Sequence, residues 1–216
     1  MIDHITYAVL WLSFGVVHSL LALPKVKERL APALGRFYRI MYNLLSAIHI
    51  LIVLAVGKSL LSEASFALFS GQLSHRVTLI VQIVGVVIIA LALRQYNLGL
   101  FSGLSQLRPD KNQPTTDGLQ AGSQLTEHTN EEYEPLNISG LNRWVRHPIY
   151  TGAFILLWGG ATTEYGLATA FYASLYLIIG SHFEERKLAG MYGDKYLAYQ
   201  RDVPKFIPLL KNNTPG

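Results

Sequence analysis

The chain has 216 residues; half of them are hydrophobic, only 15% are charged, and the formal net charge is +4. Soluble domains carry about 25% charged residues, so this composition argues against an ordinary soluble enzyme, a disordered chain and a basic nucleic-acid-binding protein. The sequence has no cysteine, which excludes disulfides, a thiolate nucleophile and thiolate metal ligands.

Five segments lack Asp, Glu, Lys and Arg over lengths that suit a bilayer core. As helices they would each cover roughly 25–30 Å. Any one of them could be a buried helix of a soluble protein, but five leave too little polar chain to cover them. We therefore predict an all-α polytopic membrane protein with one domain (1–216). Its predicted spans are about 5–24, 40–57, 77–93, 148–163 and 166–183.

The basic residues are distributed very unevenly between the two sides of this predicted bundle. Sixteen of the eighteen Lys and Arg residues lie on alternate connections and in the tail, and only Lys58 and Arg76 lie on the other side. The positive-inside rule then places the N-terminus outside and the C-terminus in the cytoplasm of a bacterial inner membrane. The polar stretch 105–142 becomes a cytoplasmic loop whose composition favours mobility, and 184–216 becomes a cytoplasmic helical extension.

A basic motif, Arg146-His147-Pro148, stands where the fourth span begins. Proline is favoured at the first helical position, so we predict that the helix begins at Pro148 with unpaired N–H groups at the interface. Such a helix end binds anions, and Arg146 and His147 add donors beside it. The same two side chains could instead only anchor the span among lipid headgroups.

Two adjacent carboxylates, Glu184 and Glu185, stand where the fifth span returns to the same side. A carboxylate pair at the edge of lipid is costly without a partner, which makes it a candidate site. Ordinary headgroup-level carboxylates are the alternative. Gly193 is predicted to end or bend this helix. A basic helix start and a pair of acids in one layer would suit a zwitterionic ligand.

Four motifs in residues 140–208 resemble the C-terminal signature of the isoprenylcysteine carboxyl methyltransferase superfamily, to which phospholipid methyltransferases are related. The resemblance implies an integral membrane methyltransferase that uses S-adenosyl-L-methionine and releases S-adenosyl-L-homocysteine. It also implies that His147, Tyr150, Gly152, Glu184 and Glu185 hold the cofactor, with Tyr196 and Tyr199 near it. The motifs are Arg146-His147-Pro148-x-Tyr150-x-Gly152, Glu184-Glu185, Gly193-x-x-Tyr196-x-x-Tyr199 and Val203-Pro204-x-Phe206-Ile207-Pro208.

The N-terminal half is similar to bacterial methanethiol S-methyltransferases and to a related group of membrane proteins encoded near denitrification genes. The resemblance implies methylation of a small thiol such as methanethiol to a thioether, here dimethyl sulfide. The motifs are Phe14-Gly15-x-x-His18-Ser19-Leu20-Leu21-Ala22 and Arg36-Phe37-Tyr38-Arg39-x-x-Tyr42-Asn43-Leu44-Leu45-Ser46.

A thiol acceptor needs a positive field or a base, because an unperturbed thiol has a pKa near 8.5 or above. Candidate field sources are Arg39, Arg94 and Arg146. His18 is a candidate base or orienting group, although a histidine packed between helices is an equal alternative.

Tyr42, Asn43 and Asn97 are candidate acceptor-binding residues, because they stand at the cytoplasmic ends of spans two and three. The histidines are scattered, so we expect no metal. Two other functions stay open on this scaffold. The acceptor could be an isoprenylcysteine-like carboxylate or a phospholipid amine, or the protein could be a non-catalytic membrane accessory protein.

Overall fold

The computed structural model describes residues 1–96, 98–102, 104 and 136–208, and this part of the chain is built from helices. Within it, the one β-pairing is an isolated bridge between Ser65 and Thr163. The predicted all-α class is confirmed. The helices are α1 (Ile2–Ala22), α2 (Pro24–Leu34), α3 (Tyr38–Leu60), α4 (Gln72–Leu93), α5 (Leu98–Ser102), α6 (Pro148–Gly159), α7 (Glu164–Tyr192) and α8 (Asp194–Asp202).

Four stretches of helix are long and apolar enough to cross a membrane. Three of them are α1, α4 and α7, and the fourth is Pro32–Leu60, which includes α3. They contain the predicted spans 40–57, 77–93 and 166–183, and α1 contains all but the last two residues of the predicted span 5–24. Large aliphatic side chains such as Leu12, Leu51 and Ile80 are more than half exposed on them, as expected of surfaces that face lipid. The chain is an integral membrane protein.

The predicted span 148–163 is a shorter helix than expected. It begins at Pro148, as predicted, but α6 ends at Gly159 after 12 residues, which is about 18 Å against a hydrocarbon core of about 30 Å. The next helix starts soon after, because the Thr163 side chain caps α7 by accepting from the Gly166 N–H at 2.9 Å. The fifth crossing therefore stays a prediction.

Helix α6 lies directly against α4 through two glycines. A Cβ added to Gly152 would stand 2.8 Å from the Gly85 carbonyl oxygen and 2.8 Å from a side-chain carbon of Ile89. A Cβ added to Gly85 would stand 2.7 Å from the Gly152 carbonyl oxygen. The two backbones thus approach as only glycine permits, which fixes the position of α6 in the bundle.

The connections between helices define two ends of the bundle. At the N-terminal end, His4 Nε2 lies 2.8 Å from Glu164 Oε1, and the Ser62 N–H donates to Glu164 Oε2 at 2.9 Å. There the Phe66 N–H also donates to the Thr162 carbonyl at 2.9 Å. The far end contains the end of α4, the start of α6 and α8. Both α6 and α7 run between these ends, in opposite directions.

An aromatic core holds α1 against α3 and α7. Tyr7, Trp11 and Phe14 are buried on one face of α1, and the Tyr7 hydroxyl lies 2.8 Å from Thr169 Oγ1 of α7. A Cβ on Gly57 of α3 would stand 2.2 Å from the Tyr7 ring, so this contact also needs a glycine. This packing fixes the height of α1 and so places the side chains near its far end.

Candidate active site

The start of α6 and the last third of α7 meet at the far end through charged side chains. His147 Nε2 lies 3.0 Å from Glu185 Oε1, and Arg146 Nε donates to the same oxygen at 2.8 Å. The three side chains are only 6–10% exposed. The structure therefore brings together two motifs that lie 38 residues apart in the chain.

Glu185 also receives two donors from the C-terminal region. Lys205 Nζ lies 3.4 Å from Glu185 Oε2, and Gln200 Nε2 donates to that oxygen at 3.3 Å. We call Arg146, His147, Glu185, Gln200 and Lys205 the Glu185 cluster. Every partner of the carboxylate is a donor and two are permanent cations, so the cluster stabilises the ionised carboxylate.

The tail segment, residues 200–206, is bound to the start of α6 through backbone atoms. Arg146 Nη1 donates to the carbonyl oxygens of Gln200 (2.9 Å) and Val203. Three further hydrogen bonds join the motif to this segment. The Arg146 N–H donates to the Pro204 carbonyl at 2.9 Å, and the His147 N–H donates to the Lys205 carbonyl at 3.1 Å. The Thr151 hydroxyl donates to the Phe206 carbonyl at 2.8 Å, so the motif is held at several points.

Glu184 differs from its neighbour because its side chain is 47% exposed. The Tyr150 hydroxyl donates to Glu184 Oε2 at 3.0 Å, and His147 Nδ1 lies 3.6 Å from the same oxygen. The rings of His147 and Tyr150 stack with centroids 5.2 Å apart. Glu184 is thus the accessible carboxylate of the pair, with an aromatic wall beside it.

The tyrosines of α8 close the other side of the Glu185 cluster. Gly193 has φ +56 and separates α7 from α8, as predicted for a helix stop. Tyr196 is buried, and the Tyr199 hydroxyl donates to the Asn142 carbonyl oxygen at 2.6 Å. Burial raises the pKa of both phenols, that of Tyr199 to about 12, so both stay neutral donors. The Asn142 Oδ1 atom is buried without a hydrogen-bond partner among the described residues.

A second cluster surrounds His18 between α1, α3 and α7. His18 Nε2 lies 2.7 Å from the Tyr42 hydroxyl, and Nδ1 lies 2.9 Å from Ser46 Oγ. The rings of Phe14 and Tyr176 pack on the imidazole with centroids 5.5 and 6.0 Å away. We call these five residues the His18 cluster. Tyr42 and Ser46 are one helical turn apart, so they hold both ring nitrogens.

Helix α7 carries residues of both clusters. Tyr176 packs on His18 with ring centroids 6.0 Å apart, and Glu184 and Glu185 follow further along the same helix. Just after the end of α4, burial and the Glu184 carboxylate raise the pKa of Tyr96. The sequence interpretation missed Tyr176 and Tyr96. Tyr176 stands eight residues before Glu184, which is about two turns of α7 and so the same helix face. That spacing could have identified it.

The remaining candidates lie in varied surroundings. Arg39 and Arg94 are exposed near the far ends of α3 and α4, and Asn43 donates to the Ser102 carbonyl of α5 at 2.9 Å. Asn97 lies outside the described residues, as do residues 105–135 of the predicted loop. The close packing of α6 against α4 accounts for a glycine at position 152, which the resemblance had associated with the cofactor. Within the described ranges, no three His, Asp or Glu residues are arranged to hold a metal ion.

Comparison with known proteins supports a relationship to membrane methyltransferases. A methanethiol S-methyltransferase of Crocosphaera subtropica is 34% identical over 83 residues, which cover 37% of this chain and 32% of that protein. One of Pseudomonas deceptionensis is 36% identical over 77 residues, with coverages of 35% and 29%. One of Mycobacterium tuberculosis is 39% identical over 69 residues, with coverages of 32% and 28%.

The chain thus aligns with about a third of the length of the curated relatives it matches. No solved structure matches it. The predicted resemblance to bacterial methanethiol S-methyltransferases is confirmed. A broader match extends from α1 to the start of α7: residues 6–165 match the family described as NnrU protein. Since that match covers well over half of the 216 residues, the chain belongs to the NnrU protein family.

Proposed function

We propose that this protein is a membrane methyltransferase that transfers a methyl group from S-adenosyl-L-methionine to a small thiol. Methanethiol is the favoured acceptor, which gives dimethyl sulfide and S-adenosyl-L-homocysteine. The relatives named methanethiol S-methyltransferases support this proposal. The observation that carries it is the contact of Glu185 with Arg146 and His147, and of Glu184 with His147 and Tyr150, at the start of α6.

The residues at the far end fit the groups that this cofactor carries. The half-exposed carboxylate of Glu184 suits its ammonium or ribose hydroxyl groups, and the buried Asn142 Oδ1 atom is an acceptor that has no hydrogen-bond partner in the part of the chain that the structure describes. Aromatic faces of Tyr150 and Phe206 line the same region and suit a cationic centre. When bound, the cofactor would supply a methyl group activated by a sulfonium.

We propose two roles for the predicted cofactor residues. Glu184 and Tyr150 have accessible polar atoms and would contact the ligand. Arg146, His147 and Glu185 use their polar atoms on one another and on the tail segment, so they would hold the site in shape. The buried hydroxyls of Tyr196 and Tyr199 would support this arrangement from α8.

For the acceptor, we propose a site between the two clusters. Tyr42, Asn43 and Asn97 would surround it, and His18 would act as a base or orienting group. Arg39 and Arg94 would supply a positive field, since the third candidate, Arg146, is already paired with Glu185. The polarizable aromatic rings here suit a small sulfur compound.

We further propose a single domain of residues 1–216 with five membrane crossings, the N-terminus outside and the far end in the cytoplasm of a bacterial inner membrane. Two observations support this topology. The turn after α6 contacts Phe66 at the N-terminal end, so α6 and its turn cover the height of the bundle. Along the sequence, sixteen of the eighteen basic residues fall in the connections and tail that this topology assigns to the cytoplasm.

A methyl-transfer assay tests the proposal directly. Purified protein in lipid nanodiscs would receive methyl-labelled S-adenosyl-L-methionine with small thiols, a prenylcysteine analogue or phosphatidylethanolamine. We expect label in a volatile thioether, loss of transfer in Glu184→Gln, and no change in Glu28→Gln, an exposed carboxylate on α2. Transfer only to the prenylcysteine analogue, or only to the lipid, would show that this compound and not a thiol is the acceptor. Folded protein that transfers to none of them would be an accessory protein.

A further inference from the structure

The His18 cluster contains a hydrogen-bond arrangement that the proposed function does not explain by itself. Both nitrogens of an imidazole inside a membrane helix bundle have hydroxyl partners, Tyr42 at 2.7 Å and Ser46 at 2.9 Å. A neutral imidazole has one donor and one acceptor nitrogen, and each hydroxyl can donate or accept. The phenol of Tyr42 is the more acidic and therefore stronger donor, which favours Tyr42 donating to Nε2 and Ser46 accepting from Nδ1–H. The arrangement is therefore able to hold one tautomer.

His49 provides a natural comparison one helix away. Its Nε2 lies 3.1 Å from Ser13 Oγ, and its ring packs on Phe14 at 5.6 Å, much as the ring of His18 does at 5.5 Å. For His49 the structure gives this one side-chain partner, and no tyrosine hydroxyl contacts it among the described residues. His18 thus differs from a packed histidine in this same bundle by its contact with Tyr42.

Tyr42 is also the member of the His18 cluster that faces the rest of the site. It stands one turn closer to the far end than Ser46, and its ring, like that of Tyr176, packs on the His18 ring, with centroids 5.0 and 6.0 Å away. Tyr176 lies about two turns of α7 before Glu184, which accepts from the Tyr150 hydroxyl. A small acceptor between these phenols would meet the Tyr42 hydroxyl before it could meet the imidazole.

We propose that Tyr42, His18 and Ser46 form a proton relay that ionises the thiol acceptor; this inference rests on the proposed function. The S–H bond of the thiol breaks and its proton passes to the Tyr42 oxygen, while the Tyr42 proton passes to His18 Nε2. The sulfur keeps the electron pair and becomes a thiolate nucleophile. Ser46 accepts from Nδ1–H and keeps Nε2 free to take the proton.

The relay has a calculable benefit. At pH 7 about 3% of a thiol with pKa 8.5 is ionised, so a protein without the relay would depend on that fraction and lose about 30-fold in kcat/KM. The loss should shrink tenfold for each pH unit until the thiol ionises by itself. The titratable groups that face His18 are Tyr42 and Tyr176, and the cationic Arg39 stands about one turn before Tyr42 on α3.

The first test compares thiols of different acidity in His18→Gln and Tyr42→Phe, with His49→Gln as the matched control. Both relay variants should lose about 30-fold at pH 7 with an aliphatic thiol whose pKa is about 8.5, and nearly nothing with a thiophenol whose pKa lies below the assay pH. His49→Gln should stay within twofold of the wild type for both thiols. Equal losses with both thiols would show a structural role and overturn the relay.

A second test needs no methyl donor. A chromogenic thiophenol whose thiolate absorbs separately is titrated with wild-type protein and with His18→Gln. The wild-type protein should lower the apparent pKa of the bound thiol, while His18→Gln should leave it at its solution value. Equal values for the two proteins would contradict the relay. If the wild-type protein methylates no thiol, both the proposed acceptor and the relay are wrong. If the wild-type protein methylates thiols and the variants do so equally well, only the relay is wrong.

Discussion

Replacing Glu185 by glutamine should destabilise the protein far more than the same change at Glu184. Glu185 is 10% exposed and receives Arg146 at 2.8 Å, His147 at 3.0 Å and Lys205 at 3.4 Å. Removing its charge leaves the buried Arg146, which is 6% exposed, without a counter-charge. Breaking a buried pair in this way costs about 3–5 kcal/mol, and the remaining amide oxygen favours the lower value, about 3 kcal/mol.

This loss can be measured by thermal unfolding in detergent micelles. For a chain of this length, about 3 kcal/mol corresponds to a fall in Tm of roughly 6–12 °C. Trp144 is 67% exposed and stands two residues before Arg146, so its fluorescence reports on this region. Glu184→Gln removes one bond from Tyr150 at a half-exposed site and should shift Tm by about 3 °C or less. Equal shifts in the two variants would refute the buried, ionised role of Glu185.

Three further predictions concern packing, pH and topology. Gly152→Ala should lose about 1–3 kcal/mol of unfolding free energy, because its Cβ would stand 2.8 Å from the Gly85 oxygen. Because the pKa of Tyr199 is raised to about 12, the contribution of this phenol to the free energy of unfolding is complete below pH 10, the ordinary tyrosine pKa. That contribution is lost as the pH rises to about 12, and the ultraviolet absorbance of the phenolate measures the titration. Because the chain lacks cysteine, Ser65→Cys should react with an impermeant maleimide from outside the cell, and Ser139→Cys only from inside.

Each of these predictions has a control. Gly190→Ala adds a Cβ in a helix at a place where no atom lies within 4 Å, so it should be neutral or stabilising. If Gly190→Ala loses as much unfolding free energy as Gly152→Ala, the loss in Gly152→Ala does not come from packing against α4. Tyr199→Phe should reduce the late phase of the absorbance titration by the contribution of one phenol, and an unchanged curve would assign that phase to other tyrosines. Labelling of both cysteines from the same side would refute an odd number of crossings between them.

The sequence was sufficient to predict the features that depend on local chemistry. An apolar stretch of about 20 residues has to be helical in lipid, so the four longest windows correspond to α1, α3, α4 and α7. Pro148 and Gly193 mark a helix start and a helix stop because their backbones are constrained or freed at one residue. The resemblance to methyltransferases came from motifs rather than from helix prediction.

Other features depend on tertiary structure or on signals that hydrophobicity does not record. The apolar window to residue 163 hid the end of α6, since the stop at Gly159 and the cap at Thr163 are themselves uncharged. Gln200 and Lys205 reach Glu185 only because the chain turns back after α8. No local pattern in the tail predicts that contact.

Binding of labelled S-adenosyl-L-methionine to the purified protein tests the central claim most directly. We predict one saturable site per chain that S-adenosyl-L-homocysteine displaces. Glu184→Gln should weaken binding at least tenfold, about 1.4 kcal/mol, and Glu28→Gln should leave it unchanged. Folded protein that does not bind the cofactor, or binding that Glu184→Gln and Tyr150→Phe both leave unchanged, would contradict the account.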